Sequence, residues 1–176
     1  MKPDFYQILN TDSSRATADL AAEAVAGVPE YFEEVLHYSF IEKSPVNWRA
    51  ARVVWLCSTK FPELFKPHAN KTAKLFSEFK VDGLKRTYAY MLSNYVNELD
   101  EDSLADMIDI CFKYMLNDEK IAVKYNCMKF LYETCKLIPE LSGELLAVIE
   151  VNISDGTFRF NGLLKKIYTE IELKIQ

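Results

Sequence analysis

The sequence predicts an all-α fold in which consecutive helical hairpins stack side by side. A short phrase, made of an apolar residue, Pro or Asn, Glu, and a closing Leu or Tyr, occurs four times, and its second residues are 33, 35 and 42 positions apart. Glycine and proline are scarce, at 5 and 6 of 176 residues. A hairpin of this length buries its apolar face against the next hairpin, so the period predicts a solenoid of helical hairpins. The four copies start at Val28, Phe61, Val96 and Ile138.

The boundaries of the hairpins follow from turn residues and from apolar periodicity. Gly27 and Pro29 separate the first two helices, Pro45 falls in the first turn of the next one, and Asp82 opens the third hairpin. The chain then contains about nine helices in four and a half hairpins, which we expect to form a single repeat domain over 1–176. In order, the hairpins are predicted at about 13–42, 45–79, 82–116 and 119–152, and an unpaired last helix at 156–175.

Apolar stripes on these helices predict which side chains form the core. In the second helix of the third hairpin, apolar residues recur at i, i+3, i+4, i+7, i+8 and i+11, which predicts one buried face. Two aromatic pairs, Trp48 with Trp55 and Tyr88 with Tyr95, are each seven positions apart on one helix, and we expect both pairs to pack in the core. The stripe of the third hairpin consists of Leu104, Met107, Ile108, Cys111, Phe112 and Met115.

Composition excludes several classes of protein. The net charge is −5, from 21 basic and 26 acidic residues, and no basic run is visible, so nucleic acid is not an expected partner. No apolar stretch reaches the roughly 18 residues of a membrane span. The N-terminus lacks the pattern of a secretory signal, so we expect a cytoplasmic protein.

The four cysteines and two histidines do not suggest a metal or redox centre. No Cys-x-x-Cys pair occurs, and each cysteine lies within a predicted helix, where a free thiol is usually a small core side chain. Neither His37 nor His68 has a nucleophile or an orienting acid at a recognisable spacing. The sequence therefore predicts no catalytic residue, no metal ligand and no cofactor.

A second repeated signal accompanies the first, because each first helix carries a basic residue near its start. Three of these residues follow an acidic residue in the preceding loop. They could form anion sites at helix N-termini, or each could pair with a loop acid and hold one repeat to the next, and we favour pairing. The basic residues are Arg15, Arg49, Lys85, Lys124 and Arg159, and the loop acids are Asp82, Asp118 and Asp155.

Three of the four turns carry a proline, several loops carry an acid, and a basic residue follows early in the next helix. In these features the chain resembles HEAT-like repeat proteins, and the resemblance implies a right-handed solenoid. The segment 109–120 is similar to a group of small bacterial HEAT-like proteins, some of which are named adenylosuccinate lyase. That resemblance implies a lyase activity as one alternative. The signature loop of the fumarase superfamily, Ser-Ser-x-Met-Pro-x-Lys-x-Asn-Pro, does not occur in this chain.

The resemblance to HEAT-like proteins implies a non-catalytic interaction module that binds a protein or peptide in a concave groove formed by the second helices. The charge of the side chains expected there changes sign from repeat to repeat, which suits a protein partner better than a polyanion. The other alternative is an enzyme like the HEAT-like DNA glycosylases, whose resemblance implies a basic channel with tryptophans and an acid. The unpaired last helix predicts a homodimer. The expected groove residues are Glu34, His37, Tyr38, Asn70, Lys74, Asp106, Asp109 and Lys113.

Overall fold

The computed structural model describes residues 2–25, 27–159 and 162–175, with side chains described as far as Ile171. These residues form eleven α-helices and no strand, which confirms the all-α prediction. Single 3-10 turns lie at Lys66–His68, Phe76–Glu78, Val96–Glu98 and Pro139–Leu141. The helices are α1 Phe5–Thr11, α2 Arg15–Val25, α3 Pro29–Ile41, α4 Val46–Lys60, α5 Pro62–Phe65, α6 Ala69–Leu75, α7 Asp82–Leu92, α8 Glu101–Leu116, α9 Ile121–Thr134, α10 Ser142–Ser154 and α11 Gly162–Ile175.

The helices form two rows. In the first row, α2, α4, α7 and α9 pack in succession. The second row contains α3, the segment 62–78, α8 and α10, and within it α6 packs on α8 and α8 on α10. The most extensive contacts between the rows join α3 to α4 and α8 to α9. The second helix of one predicted hairpin therefore packs along the first helix of the next. None of the helices in the described residues is both long and apolar enough to cross a membrane.

The repeated phrase forms the opening helical turn of each second-row unit. Pro29 and Pro62 are the first residues of α3 and α5, where a missing N–H costs nothing. In the third and fourth copies the phrase forms a 3-10 turn just before α8 and α10. Pro67 lies in a further 3-10 turn that separates α5 from α6, so the second helix of the hairpin predicted at 45–79 is divided into two short helices.

Two further elements differ from the expected set of about nine helices. The sequence interpretation missed α1. Asp4 is the N-cap of this helix, and its carboxylate accepts a hydrogen bond from the Gln7 amide at 2.9 Å. The helix buries Phe5. The last helix, expected from residue 156, is helical from Gly162 onward. Gly156 has φ 78°, and the amide of Phe158 donates to the Asn152 carbonyl at 2.7 Å, so this segment forms a turn.

The core is continuous along the stack and contains an aromatic cluster around Tyr88. The Tyr88 ring lies 5.3 Å from Phe79 and 5.8 Å from Phe40, measured between centroids. Its hydroxyl hydrogen-bonds Ser39, which in turn donates to the Leu36 carbonyl at 2.6 Å. Complete burial raises the pKa of Tyr88 far above its ordinary value. The predicted stripe of α8 is buried or half-buried throughout, and all four cysteines are buried.

The basic residues at the starts of the first-row helices mainly tie the repeats together. Lys85 Nζ lies 2.5 Å from Glu119 Oε1 in the loop before α9. Arg49 donates to the Leu9 carbonyl at 3.0 Å. Lys124 is buried and donates to Asn152 Oδ1 at 3.1 Å. Lys85 therefore pairs with a loop acid, but with Glu119 and not with any of the three predicted acids, whereas Arg49 and Lys124 bind neutral oxygens.

Candidate binding cleft

An open cleft of about 290 Å³ crosses the outer surface of the first row, where α4, α7 and α9 lie side by side. Residues at helical spacing contribute its walls, because side chains three, four or seven positions apart share one helix face. The lining residues are Trp48, Arg52 and Trp55 from α4, Arg86, Thr87 and Tyr90 from α7, and Asn126 from α9.

Aromatic rings form the floor of this cleft. Trp55 and Tyr90 meet edge to face, with centroids 6.0 Å apart, and Lys129 Nζ lies 3.7 Å from the centroid of the Tyr90 ring. Trp48 and Trp55 are half-buried, so they pack on the core and also border the cleft. They are the only two tryptophans in the chain. The expectation of core packing is confirmed for Tyr88 and Tyr95 and incomplete for the tryptophans.

A glycine lets α7 approach α4 at one end of the cleft. A Cβ added to Gly83 would lie 2.8 Å from Trp48 Cβ and 3.2 Å from Trp48 Cγ, closer than side-chain atoms normally pack. The Asn126 amide donates to the Arg86 carbonyl at 2.7 Å and joins α9 to α7. The position of Trp48 and the spacing of the walls are therefore set by the close approach of the Gly83 backbone to the Trp48 side chain and by the hydrogen bond from the Asn126 side chain.

Cations border the cleft without acidic partners. Arg52 Nη1 donates to the Ser13 carbonyl at 3.0 Å, and Arg86 is exposed. No ion pair formed by the described residues includes Arg52, Arg86 or Lys129. No carboxylate is among the described side chains that line the cleft. Like charges gathered in this way repel one another, and an anionic ligand would relieve that repulsion.

The helices that form the cleft carry a net positive charge, and the second row carries a net negative charge. The three helices that form the cleft carry seven basic and two acidic residues, whereas α3, the segment 62–78, α8 and α10 together carry eleven acidic and four basic residues. The net charge of −5 therefore conceals a positive first row and a negative second row.

The sequence profile of the HEAT repeat domain family matches residues 5–158. This chain belongs to the HEAT repeat domain family. No curated protein and no solved structure matches it significantly. The match begins at the first residue of α1, so the helix that the sequence interpretation missed lies within the HEAT repeat domain.

The groove residues expected from the sequence lie on the second row of the HEAT repeat domain, around two separate hollows. Glu34, His37 and Tyr38 border a hollow of about 680 Å³. Glu34 Oε2 lies 2.6 Å from Lys2 Nζ, and Glu34 Oε1 accepts from the Tyr38 hydroxyl at 2.9 Å. Burial, with the hydrogen bond to Glu34, raises the pKa of Tyr38 to about 12.

The remaining expected groove residues surround a second hollow, of about 310 Å³, between α6 and α8. Lys74, Asp106, Asp109 and Lys113 are exposed at its edge. Asn70 does not border this hollow, because its Oδ1 accepts from the Asp100 amide at 2.8 Å and its amide approaches the Glu98 carbonyl at 3.5 Å. The structure thus brings seven of the eight residues to the two hollows and uses Asn70 to connect α6 to the start of α8.

The two histidines are separate from the first-row cleft. His37 is exposed, and His68 borders the hollow next to α3, with its ring 6.1 Å from Phe32. Partial burial lowers the pKa of His68, an effect that Glu33 opposes. Across the described ranges, no group of three or more His, Cys, Asp or Glu side chains is placed to hold a metal ion.

Sequence reasoning missed the cations of the cleft. A search for basic runs cannot find Arg52, Arg86 and Lys129, because they come from three helices. The basic residues singled out at the helix starts, such as Arg49 and Lys85, lie close by in sequence but are engaged elsewhere. A usable signal was nevertheless present, since Arg52 lies four positions after one tryptophan and Arg86 four positions before Tyr90.

Proposed function

We propose that this HEAT repeat protein is a non-catalytic interaction module that binds a protein or peptide partner in the first-row cleft. HEAT repeats generally mediate contacts between proteins, which supports the class of function. The observation that carries the proposal is the combination of half-buried tryptophans with arginines that have no acidic partner. Trp, Tyr and Arg are the residue types that contribute most of the binding energy at protein interfaces.

The construction of the cleft supports binding by a preformed surface. Its walls belong to packed helices, and their spacing is fixed by the close approach of Gly83 to the Trp48 side chain and by the hydrogen bond from the Asn126 side chain to the Arg86 carbonyl. A partner that meets such walls orders few additional side chains, so less of the interaction energy is lost to conformational entropy.

The lining residues support binding over catalysis. Among the described residues, the cleft offers hydroxyl, guanidinium, amide and aromatic groups but no carboxylate, imidazole or thiol. General acid–base catalysis uses the latter groups most often. The cationic cleft with both tryptophans shares two features with the channel that the glycosylase resemblance implies, but no carboxylate is among the described side chains that line it. The lyase alternative gains no observation that favours it.

The second-row residues form a second proposed surface. Glu34, His37, Asp106 and Asp109 border hollows of mixed charge and would suit a basic or mixed partner. Asn70 belongs to this proposal only as a support for the start of α8.

Two further proposals concern the setting of the protein. The buried, free thiols of Cys57, Cys111 and Cys127 support a cytoplasmic location, because cytosolic thiols are kept reduced. A homodimer through α11 is also proposed, with Leu163 as the exposed apolar residue, whereas Leu164, Ile167 and Ile171 are buried within the chain. Light scattering distinguishes a monomer from a dimer, and Leu163→Glu should abolish a dimer formed there.

Selection from a random library of short displayed peptides tests the main proposal. We expect enriched peptides that bind the wild-type protein and lose at least about tenfold in affinity to Trp55→Ala or Tyr90→Ala, the scale of loss seen when an interface anchor is truncated. Circular dichroism verifies that each variant is folded. Failure to enrich any peptide would contradict the proposal. So would enriched peptides that depend only on the second row, revealed by Asp106→Lys with Asp109→Lys.

A further inference from the structure

The chemistry of the partner follows from the first-row cleft, and this inference rests on the proposed function. We propose that the cleft binds an acidic peptide segment in which an aromatic or large aliphatic side chain is flanked by Asp or Glu. The apolar side chain lies on the tryptophan and tyrosine rings, and the flanking carboxylates bind the arginines.

Charge complementarity determines the sign of the ligand. Arg52 and Arg86 line the cleft, Lys129 lies over the Tyr90 ring, and no ion pair in the described part of the chain includes any of the three. A guanidinium group offers paired N–H donors that match a carboxylate. An acidic segment therefore gains attraction from every cation at the cleft, whereas a basic segment would add to the existing repulsion.

The aromatic floor determines what lies between the carboxylates. Trp55 and Tyr90 already meet edge to face at 6.0 Å, and Trp48 borders the same cavity. Rings packed in this way present apolar faces and edges to a further ring or branched aliphatic side chain. The cleft volume of about 290 Å³ suits a single anchor side chain with a short stretch of backbone on either side.

The extent of the positive surface favours a short segment over a nucleic acid. Neighbouring helices lie about 8–10 Å apart, so three helices span about 20 Å, which an extended peptide crosses in about six residues at 3.3 Å each. A longer polyanion would extend beyond the cleft on a protein whose net charge is −5 and whose second row is acidic. Screening confines the attraction of the cleft to within about 8 Å at physiological salt.

Tryptophan fluorescence provides a direct assay, because both tryptophans of the chain line the cleft. The probe is an acetylated, amidated peptide without tryptophan, in which one Phe is flanked on each side by two Glu. Matched peptides replace every Glu by Lys, or the Phe by Ala, and an oligothymidylate serves as the nucleic-acid probe. Titration of each probe into the full-length protein measures its affinity.

We expect the acidic peptide to change the fluorescence saturably, and each of Arg52→Gln and Arg86→Gln to weaken it about tenfold or more. The Phe→Ala peptide should also bind at least about tenfold more weakly, since a buried anchor is lost. The double variant Lys43→Glu with Lys71→Glu is the control, because both lysines are exposed and neither borders the cleft. It should bind the acidic peptide within about twofold of wild type, as expected when screening weakens distant charges.

Tighter binding of the Lys peptide than of the Glu peptide would overturn this inference, as would tighter binding of oligothymidylate with a steep dependence on salt. An equal loss of affinity for the acidic peptide in the lysine control and in the arginine variants would also overturn it, because the loss would then come from the net charge of the protein. If the binding of selected library peptides depends on Trp55 but the peptides lack acidic residues, the inference of an acidic partner is wrong and the proposed function stands. If no selected peptide depends on the cleft, the proposed function itself fails.

Discussion

The two rows of helices in this HEAT repeat domain use charged and aromatic residues differently. In the first row, tryptophans and unpaired cations meet at an open cleft. In the second row, the phenylalanines Phe32, Phe65 and Phe76 are fully buried, and acidic residues dominate the surface. The contrast shows that an acidic chain can still present a cationic surface when its repeats segregate charge by row.

The rows differ but are connected through a few buried polar contacts, and the strongest test of that connection is Asn152→Ala. Asn152 accepts from Lys124 Nζ at 3.1 Å and donates to the Met115 carbonyl at 3.1 Å, so it joins α9 of the first row to α8 and α10. Truncation leaves a buried ammonium group without its partner, and we expect the free energy of unfolding to fall by about 2–4 kcal/mol. Urea denaturation followed by circular dichroism measures the change.

The matched control is Asn97→Ala, at an exposed position, where the change should stay within about 0.5 kcal/mol. A loss below about 1 kcal/mol in Asn152→Ala would show that the contact between the rows does not depend on this network.

The close approach of α7 to α4 is tested by Gly83→Ala. The added methyl group would meet Trp48 Cβ at 2.8 Å, so the helices must separate or the tryptophan must move. We expect destabilisation of about 1–3 kcal/mol, the usual cost of overpacking, together with a shift of the tryptophan emission maximum. Thermal unfolding and emission spectra measure the two effects.

Gly143→Ala provides the comparison in the second row, because nothing lies within 4 Å of a Cβ at this helical position. That variant should be neutral or more stable by up to about 1 kcal/mol through helix propensity. Equal behaviour of the two variants would contradict the close packing inferred for the first row.

A smaller effect is expected from Tyr88→Phe, which removes the hydrogen bond between α7 and Ser39 on α3. The loss should be about 1 kcal/mol, since the Ser39 hydroxyl keeps its bond to the Leu36 carbonyl. Tyr95→Phe should cost less, because the Tyr95 hydroxyl lies 3.3 Å from the Pro62 carbonyl in a less buried setting. A larger loss at Tyr95 than at Tyr88, measured by urea denaturation, would reverse this order.

The smallest effect concerns pH and His68 on the second row. Its pKa is lowered mainly by burial, with Glu33 opposing and Lys71 reinforcing the shift. The imidazole of His68 therefore binds a proton more readily in the unfolded chain than in the folded chain. As a result, the free energy of unfolding falls as the pH drops below about 6.5. His68→Gln should reduce the decrease in Tm between neutral pH and the acid side of that value. An unchanged decrease would show that other groups cause it.

The sequence predicted the parts of the fold that depend on local pattern and missed those that depend on stacking. Helical spacing correctly identified the buried stripe through Met107, Cys111 and Met115. The start of α1 was also readable, because Asp4 is a suitable N-cap, but a seven-residue helix gives too little periodicity to detect.

The first-row cleft could not be predicted from one helix at a time. The spacing of Trp48 and Trp55 shows that they share a helix face, but whether a neighbour covers that face depends on how α7 packs on α4. The cations Arg52, Arg86 and Lys129 meet only after three helices stack. The partner of Lys85 was equally hidden, since Glu119 belongs to the following repeat.

Quenching of tryptophan fluorescence by iodide and by caesium tests whether both tryptophans lie at a cationic surface. At constant ionic strength, with values normalised to free N-acetyltryptophanamide, iodide should quench more strongly than caesium, and Arg52→Gln with Arg86→Gln should reduce the difference. The net charge of −5, acting alone, would produce the opposite order. Equal or stronger quenching by caesium would contradict the account.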